Sequence, residues 1–353
     1  MTEERTKKAH LLMGSTAPHT RSPKSTRIIM LDVIIALIPL LIWACYVFGL
    51  RALSVSAVSV LSCVLFELLF DLITKKPLTI GDLSAVITGL LLAYALPHTV
   101  PLWMPVAGAF ISIVIVKMLF GGLGKNLVNP ALAGKACMMF CFSSAMTVPS
   151  VLVKLGAFEK YIPVEGAWGT TPLSSILTPP SEGTMALSFE SVLDQFLGYE
   201  TGTIGEVSAL LILVGFIYLL VRKVITWHIP LSFMATVALI TFALPDNGFE
   251  RFDFMYMLTH LFSGGLMLGA VFMATDYVTC PITAKGRVVF GIGCGLLTVL
   301  IRYFGERDGV ALAILAMNLL VYFIDKITVP RPLGTSRKPL FARLIKKAEQ
   351  EHP

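Results

Sequence analysis

Residues 28–50 read IIMLDVIIALIPLLIWACYVFGL, an apolar run in which Asp32 is the one charged residue. About 20 mostly apolar residues in a helix are enough to cross the hydrocarbon core of a bilayer. Further apolar runs follow at 52–73, 79–96, 101–120, 129–147, 206–221, 226–244, 255–274, 288–303 and 309–325. The pattern predicts an all-α integral membrane protein with about ten transmembrane helices.

The composition agrees with a membrane protein. Hydrophobic residues make up 56% of the chain and charged residues only 14%, whereas soluble domains carry about 25% charged residues. The net charge of +6 does not indicate a nucleic-acid partner, because the basic residues gather near the two ends of the chain. The expected environment is membrane lipid.

Charge asymmetry predicts the orientation. Ten crossings put both ends on one side, and the positive-inside rule makes the basic tails 1–27 and 326–353 cytoplasmic. The interval 148–205 has two basic and six acidic residues, so we expect an extracytoplasmic loop there. It separates two membrane halves of five spans, 28–147 and 206–325. Halves of five spans have opposite orientations, so we expect inverted repeats in a bacterial inner membrane protein.

The acidic loop contains Trp168-Gly169-Thr170-Thr171-Pro172-Leu173. A glycine allows close approach of the backbone to a bulky group. Pro172 favours an extended conformation at Thr171, which would present that hydroxyl outward. The alternative interpretation of the stretch is an ordinary solvated turn.

Two polar segments interrupt the apolar pattern on the predicted cytoplasmic side. Residues 121–134 read GGLGKNLVNPALAG, with Asn126 and Asn129 as amide groups, and residues 272–287 include Thr275 and Asp276. Irregular backbone at membrane depth is tolerated where it is buried or lines a cavity. For 121–134 we therefore expect a site for a heterocyclic ring, with a tight cytoplasmic turn as the alternative; 272–287 shows only a hydroxyl-rich polar patch. Pro130 is expected at the first position of the fifth helix.

Charged residues inside the apolar runs are the candidates for an ion path. Asp32, Glu67 and Asp71 lie within the first two runs, where a charge costs several kcal/mol and usually faces a partner or a wet cavity. Structural ion pairing or snorkelling to the membrane surface is the alternative for all three.

Several chemistries lack a signature in the sequence. There is no Walker loop, Rossmann fingerprint, His-Glu-x-x-His helix or iron–sulfur cysteine pattern, so we do not expect the chain itself to bind nicotinamide, an iron–sulfur cluster or another metal. Cys137 and Cys141 share a helix face and could present two thiolates to a metal, but two small buried residues are the simpler interpretation. The chain alone is not expected to hold a complete active site.

These segments carry a resemblance to the RnfD and NqrB family, which extends from Arg27 to Arg331. The family's Gly-Gly-x-Gly-x-Asn-x-x-Asn-Pro-Ala stretch is similar to 121–131, its Met-Ala-Thr-Asp segment matches 273–276, and 81–93 is a third similar segment. The family's Ser/Thr-Gly-Ala-Thr motif resembles 168–171, with Trp168 and Thr170 as departures. The Pro-Leu that follows is typical of the Rnf branch.

The resemblance implies two cofactors. Thr171 would carry FMN through a phosphoester bond. A second, non-covalent flavin such as riboflavin would lie among the three polar segments, whose candidate residues are Thr88, Asn126, Asn129, Thr275 and Asp276. A flavin transferase of the host would attach the FMN.

The implied function is that of a flavin-carrying membrane subunit in an Rnf-type translocase, which couples electron transfer between ferredoxin and NAD to Na⁺ or H⁺ translocation. Its partners would be the other membrane subunits, a second flavinylated subunit, and iron–sulfur and NAD-binding subunits. The alternatives are an NqrB-like subunit of a Na⁺-translocating quinone reductase, a solute channel or transporter without a redox role, and a passive assembly scaffold.

Overall fold

The computed structural model describes residues 25–146, 152–155, 158–161, 172–177, 189–199, 202–246, 249, 251–305 and 308–330. Thr171, Trp168, Thr170 and most of both predicted tails lie outside the described residues. The predictions made for them are therefore not addressed by the fold.

The described residues form a helical bundle with one short hairpin. The helices are α1 Thr26–Phe48, α2 Leu50–Thr74, α3 Ser84–Tyr94, α4 Trp103–Phe110, α5 Pro130–Cys141, α6 Ser143–Met146, α7 Pro172–Leu177, α8 Phe189–Leu197, α9 Ala209–Val221, α10 His228–Ala243, α11 Phe254–Phe262, α12 Leu266–Leu268, α13 Ala284–Gly305 and α14 Val310–Thr328. A 3-10 turn at Ile80–Asp82 precedes α3, and π-helical segments Ile111–Met118 and Gly269–Met273 continue α4 and α12. Strands β1 Leu152–Leu155 and β2 Phe158–Tyr161 pair antiparallel, with Leu152 opposite Tyr161.

Helices that could cross a membrane coincide with the predicted runs. Among the described residues, four helices are long and apolar enough on their own: α1, α2, α13 and α14. A fifth candidate is the pair Phe254–Phe262 and Leu266–Met273, bent by 60° at its break. Shorter apolar helices fall in the remaining runs, at Ser84–Tyr94, Trp103–Met118, Pro130–Cys141, Ala209–Val221 and His228–Ala243. A helical membrane protein is confirmed, while the count of ten crossings stays a prediction.

Local signals in the sequence set several helix ends. Gly49, with φ +71°, lets the chain reverse between α1 and α2. Asn129 caps α5, where its Oδ1 accepts hydrogen bonds from the backbone N–H groups of Ala131 and Leu132. Pro130 occupies the first turn of α5, which confirms that prediction.

The long helices expose apolar side chains on the outer surface, whereas two short segments, Leu266–Met273 and α3, are largely buried. Exposed apolar side chains such as Ile42, Leu61 and Leu239 cover the outer surface, as expected where the solvent is hydrocarbon. In the interior, every residue from Leu266 to Met273 is buried, and most of α3 is buried as well. The short segments therefore form the core that the long helices surround.

The two ends of the bundle are defined by the direction of α1. The N-terminal face is the end at which α1 begins, and there Asp32 pairs with Arg222 just after α9. The far face is the opposite end, where Trp43 near the end of α1 donates to the carbonyl of Gly198. A backbone bridge between Pro97 and Thr203 also lies at the far face.

Candidate functional site

A pocket with a cavity volume of about 90 Å³ opens at the N-terminal face of the bundle. Its lining includes all the residues that the resemblance implies for a second flavin: Thr88, Asn126, Asn129, Thr275 and Asp276. They come from three segments that are far apart in the chain. Apolar side chains of α1, α9 and the core cover the remaining walls, among them Ile29, Val33, Leu219 and Phe272. The lining, mostly apolar with a few polar groups, is of the kind found in small-molecule sites.

The glycine-rich loop 121–130 has an irregular backbone and is anchored to the core by the side-chain amide of Asn129. Gly121, Gly122 and Gly124 all have positive φ angles, a backbone conformation that residues other than glycine rarely adopt. The Nδ2 of Asn129 donates to the carbonyl of Met273 at 3.0 Å, while its Oδ1 caps α5. Asn129 therefore joins two walls of the pocket and has little capacity left for a ligand.

Asn126 is the opposite case. Its Oδ1 is buried and accepts no hydrogen bond from the protein, although the residue lines the pocket. A buried polar atom without a partner costs about 1–3 kcal/mol. An N–H group of a ligand in the pocket would satisfy this oxygen.

Asp276, Thr88 and Thr275 already use part of their hydrogen-bonding capacity within the protein. The hydroxyl of Thr279 donates to Asp276 Oδ2 at 3.2 Å. Burial raises the pKa of the Asp276 carboxyl, and hydrogen bonds from Thr279 and from nearby backbone N–H groups only partly oppose this. Thr88 and Thr275 donate their hydroxyl hydrogens to carbonyls one turn earlier, of Ser84 and Val271. Their oxygens can still accept a hydrogen bond.

The segment after Thr171 packs at the other end of the molecule. Helix α7 begins at Pro172, and its Leu173, Ile176 and Leu177 are buried with Tyr256 of α11. Helix α11 follows the end of α10 and enters the bundle from the far face. The chain next to Thr171 is thus anchored at the far face, whereas the pocket opens at the N-terminal face.

The match to a known protein family covers all the residues that the structure describes. Residues 13–334 match the sequence profile of a family described as NQR2, RnfD, RnfE. The chain belongs to that family.

Individual relatives within the family align over nearly their whole length. The D subunit of the Na⁺-translocating ferredoxin:NAD⁺ oxidoreductase complex of Acetobacterium woodii is 40% identical over 329 residues, which is 92% of this chain and 96% of the relative. The D subunit of the proton-translocating ferredoxin:NAD⁺ oxidoreductase complex of Clostridium ljungdahlii is 38% identical, over 94% of this chain and 98% of the relative. The D subunit of the ion-translocating oxidoreductase complex of Stutzerimonas stutzeri is also 38% identical, over 89% and 94%.

The three ion-path candidates lie at two different places in the bundle: Asp32 on α1, and Glu67 with Asp71 on α2. Asp32 on α1 forms an ion pair with Arg222 at 3.0 Å and accepts a hydrogen bond from the hydroxyl of Tyr218. Glu67 and Asp71 lie one turn apart on α2, and both are fully buried. The ammonium of Lys117 pairs with Glu67 at 2.7 Å, and Lys117 is also part of the pocket wall.

A second buried ionic group lies at the break in the bent span. The Arg302 guanidinium donates to the carbonyls of His260, Ser263 and Asp308. Lys135 pairs with Asp308 at 3.1 Å. Sequence reasoning did not bring these residues together, because Lys135 lies 173 positions from Asp308. The available signals were Lys135 inside the apolar run 129–147 and Arg302 at the end of the run 288–303.

The cysteines give no metal centre in the part of the chain that the structure describes. The sulfur atoms of Cys137 and Cys141 are 3.9 Å apart on α5. Cys141 is exposed rather than buried, so the expectation of two small buried residues is wrong for it. No group of three or more His, Cys, Asp and Glu among the described residues is arranged to hold a metal ion.

Proposed function

We propose that this chain is the flavin-carrying D subunit of an Rnf-type membrane complex that couples electron transfer between ferredoxin and NAD to Na⁺ or H⁺ translocation. Family membership over residues 13–334 supports the assignment. So do the names of relatives that are 38–40% identical over nearly their full length. The chain acts as part of a translocase rather than as a complete enzyme.

The observation that carries the proposal is the convergence of three segments on one pocket. Thr88, Asn126 and Asp276 are about 40 to 190 positions apart in the sequence, yet they line the same space. A scaffold or a simple channel does not require these polar residues to line one pocket beside apolar walls. A binding site for a planar heterocycle with a polar edge requires both the polar groups and the apolar walls.

The second cofactor proposed is a non-covalent flavin such as riboflavin, which the polar lining residues would bind. When bound, a flavin accepts and donates electrons, one or two at a time. Asn126 Oδ1 would accept a hydrogen bond from an N–H group of the flavin, and Val33 and Phe272 would supply apolar contacts. Asn129 would hold the two walls together. The protein's part is to bind, orient and tune the cofactor.

Thr171 is proposed to carry FMN through a phosphoester bond, as the resemblance implies. Support from the fold is the packing of α7, which fixes the chain from Leu173 onward against Tyr256 at the far face. A rigid anchor directly after the attachment residue would limit where an attached flavin can reach. The two flavins would then lie toward opposite ends of the bundle.

The topology proposed is ten crossings in two inverted halves, with both termini cytoplasmic, Thr171 extracytoplasmic and the protein in the bacterial inner membrane. Similar packing in the two halves supports it. In the first half α2 packs against α3 and α4, and in the second α10 packs against α11 and α13. Each half also has a buried cation near the end of its fourth apolar run, Lys117 and Arg302.

The proposed partners follow from the complex that the relatives' names describe. They are the other membrane subunits, a second flavinylated subunit, iron–sulfur and NAD-binding subunits, and a flavin transferase for maturation. The exposed apolar surface of α1, α2 and α14 is available to lipid and to membrane subunits.

A substitution in the pocket tests the proposal. Asn126→Leu and Asp276→Leu replace polar lining groups, so we expect loss of most of the acid-extractable flavin while the covalent flavin remains. Extractable flavin is measured by fluorescence of the supernatant after precipitation of the purified chain. Lys125→Leu is the matched control, since it changes the same loop at an exposed residue outside the pocket lining. Unchanged extractable flavin in both pocket variants would mean that these loops only shape the fold.

A further inference from the structure

A buried polar network leads from the pocket into the N-terminal face of the bundle. Ser84 and Lys117 both line the pocket. The Lys117 ammonium donates to Ser84 Oγ at 2.6 Å and to Glu67 Oε2 at 2.7 Å. Lys117 and Glu67 are almost completely shielded from solvent. The pocket wall is thus connected directly to a carboxyl group on α2.

Thr79 continues the network toward the surface. Its hydroxyl oxygen lies 2.7 Å from Glu67 Oε1 and 2.9 Å from Asp71 Oδ2. Its backbone N–H donates to the same Asp71 oxygen at 2.9 Å. Thr79 is positioned directly after the exposed residues 72–78. Water at the N-terminal face can therefore approach the network at this residue.

Counting hydrogens shows that the network is one proton short. A threonine hydroxyl carries one hydrogen, but that of Thr79 has a carboxyl oxygen within hydrogen-bonding distance on two sides. If Glu67 and Asp71 were both ionised, one of these two contacts would have no hydrogen. A proton on one carboxyl supplies it.

The charges lead to the same result. Glu67 and Asp71 as carboxylates against Lys117 as ammonium would leave one uncompensated negative charge in a buried place, which is costly. Glu67 is already paired with Lys117. Asp71 has no cationic partner among the described residues, and its Oδ1 has no hydrogen-bond partner. An unpaired oxygen is less costly on a neutral carboxylic acid than on a carboxylate, and Asp71 is the member of this pair that has such an oxygen.

Four other titratable groups in the described part of the chain lie around the network. Asp82, placed just before α3, accepts hydrogen bonds from the backbone N–H and the hydroxyl of Ser84. Cys63 on α2 faces Lys117 and Glu67. Lys75 and Lys76 at the end of α2 are exposed and are solvated there.

We propose that Asp71, Thr79, Glu67 and Lys117 form a proton store and relay, which holds one proton on Asp71 and delivers it to a base in the pocket. Lys117 Nζ releases a proton to that base and regains one from Asp71 through Thr79 and Glu67. Water at the N-terminal face then reprotonates Asp71. One proton enters the network for each that leaves, and the network itself exchanges no electrons. That the base is a reduced flavin rests on the proposed function.

Infrared spectroscopy of the full-length chain in lipid tests the stored proton without relying on a flavin. At neutral pH a buried protonated carboxyl has a carbonyl stretching band that a carboxylate lacks. We expect such a band to be lost in Asp71→Asn and kept in Asp325→Asn, a control at an aspartate that accepts a backbone hydrogen bond from Ile282. A wild type without any component that Asp71→Asn removes would overturn the store, as would a component that sodium chloride abolishes at constant pH, because the site would then hold sodium.

The relay is tested at Thr79, where substitution leaves the buried pair of Glu67 and Lys117 intact. Thr79→Val removes the hydroxyl, so we expect proton uptake on reduction of the full complex to slow on the order of tenfold or more. Thr79→Ser restores the hydroxyl and should restore the rate. Equal rates in both variants would contradict the relay. A chain that shows the Asp71 band but no extractable flavin would retain the store and remove flavin as its acceptor.

Discussion

At the scale of single residues, the pocket contains two kinds of polar group. Asn129 uses its amide to cap α5 and to hold Met273, so its role is to fix the walls. Asn126 leaves a buried oxygen without a partner, which is the arrangement expected of a group reserved for a ligand. The sequence shows two asparagines three positions apart and gives no means of telling these roles apart.

Thr171 carries the most specific prediction at this scale. We expect Thr171→Ala to abolish the ultraviolet-fluorescent band of the chain in a denaturing gel, because the resemblance puts the phosphoester on that hydroxyl. Thr170→Ala should keep the band and is the matched control, as the only adjacent hydroxyl. Both variants are to be expressed with a flavin transferase. Fluorescence of Thr171→Ala equal to the wild type would refute the assignment.

The residues that sequence reasoning missed share a physical cause. Thr79 and Ser84 matter through hydrogen bonds to Glu67 and Lys117, which are 12 to 33 positions away. Asp308 matters because Lys135, 173 positions away, reaches it. Periodicity and composition report on neighbours along a helix, whereas these pairings depend on how distant helices pack.

At the scale of elements, the decisive features are interruptions within apolar runs. The run 255–274 predicts one continuous span, but the structure bends by 60° between Phe262 and Leu266. Gly264 and Gly265 there have φ angles of +70° and +65°, and Arg302 binds the carbonyl of Ser263 at the break. Lys117 lies on a π-helical segment, a form that is often found at functional sites. Hydropathy alone records neither interruption.

Gly264→Ala tests the broken span. A side chain at this φ costs about 1 kcal/mol or more, and the added Cβ would lie 2.4 Å from Leu173 Cδ2 and 2.8 Å from Arg302 Nη2. We expect a lower melting temperature in detergent, measured by thermal aggregation. Gly305→Ala is the control, since its Cβ would come no closer than 3.6 Å to Ile301 Cγ2. Equal melting temperatures for the two variants would show that the break is not under this constraint.

At the scale of the whole molecule, the sequence predicted the helical membrane class because hydropathy over long windows is set by the lipid environment itself. It also predicted which three segments meet in the pocket, through resemblance. It could not predict that α7 packs on the far face, since the contacts of Leu173 with Gly264 and of Ile176 with the Tyr256 cluster are tertiary.

The proposed orientation can be tested in intact cells. The charge asymmetry predicts that a cysteine introduced as Glu182→Cys reacts with a membrane-impermeant reagent, while Lys338→Cys in the basic tail is protected. Labelling is measured in a background without Cys141, the exposed native cysteine. Protection at 182 together with labelling at 338 would reverse the orientation.

The role of this chain as a flavin carrier is the proposal on which the others depend. Its most direct test is the absorbance spectrum of the full-length chain, purified from a host with a flavin transferase, before and after denaturation. We predict a flavin spectrum of which one part stays with the denatured chain and a comparable part is released. A colourless protein from such a host would contradict the flavin-carrying role and would favour a solute transporter or an assembly scaffold.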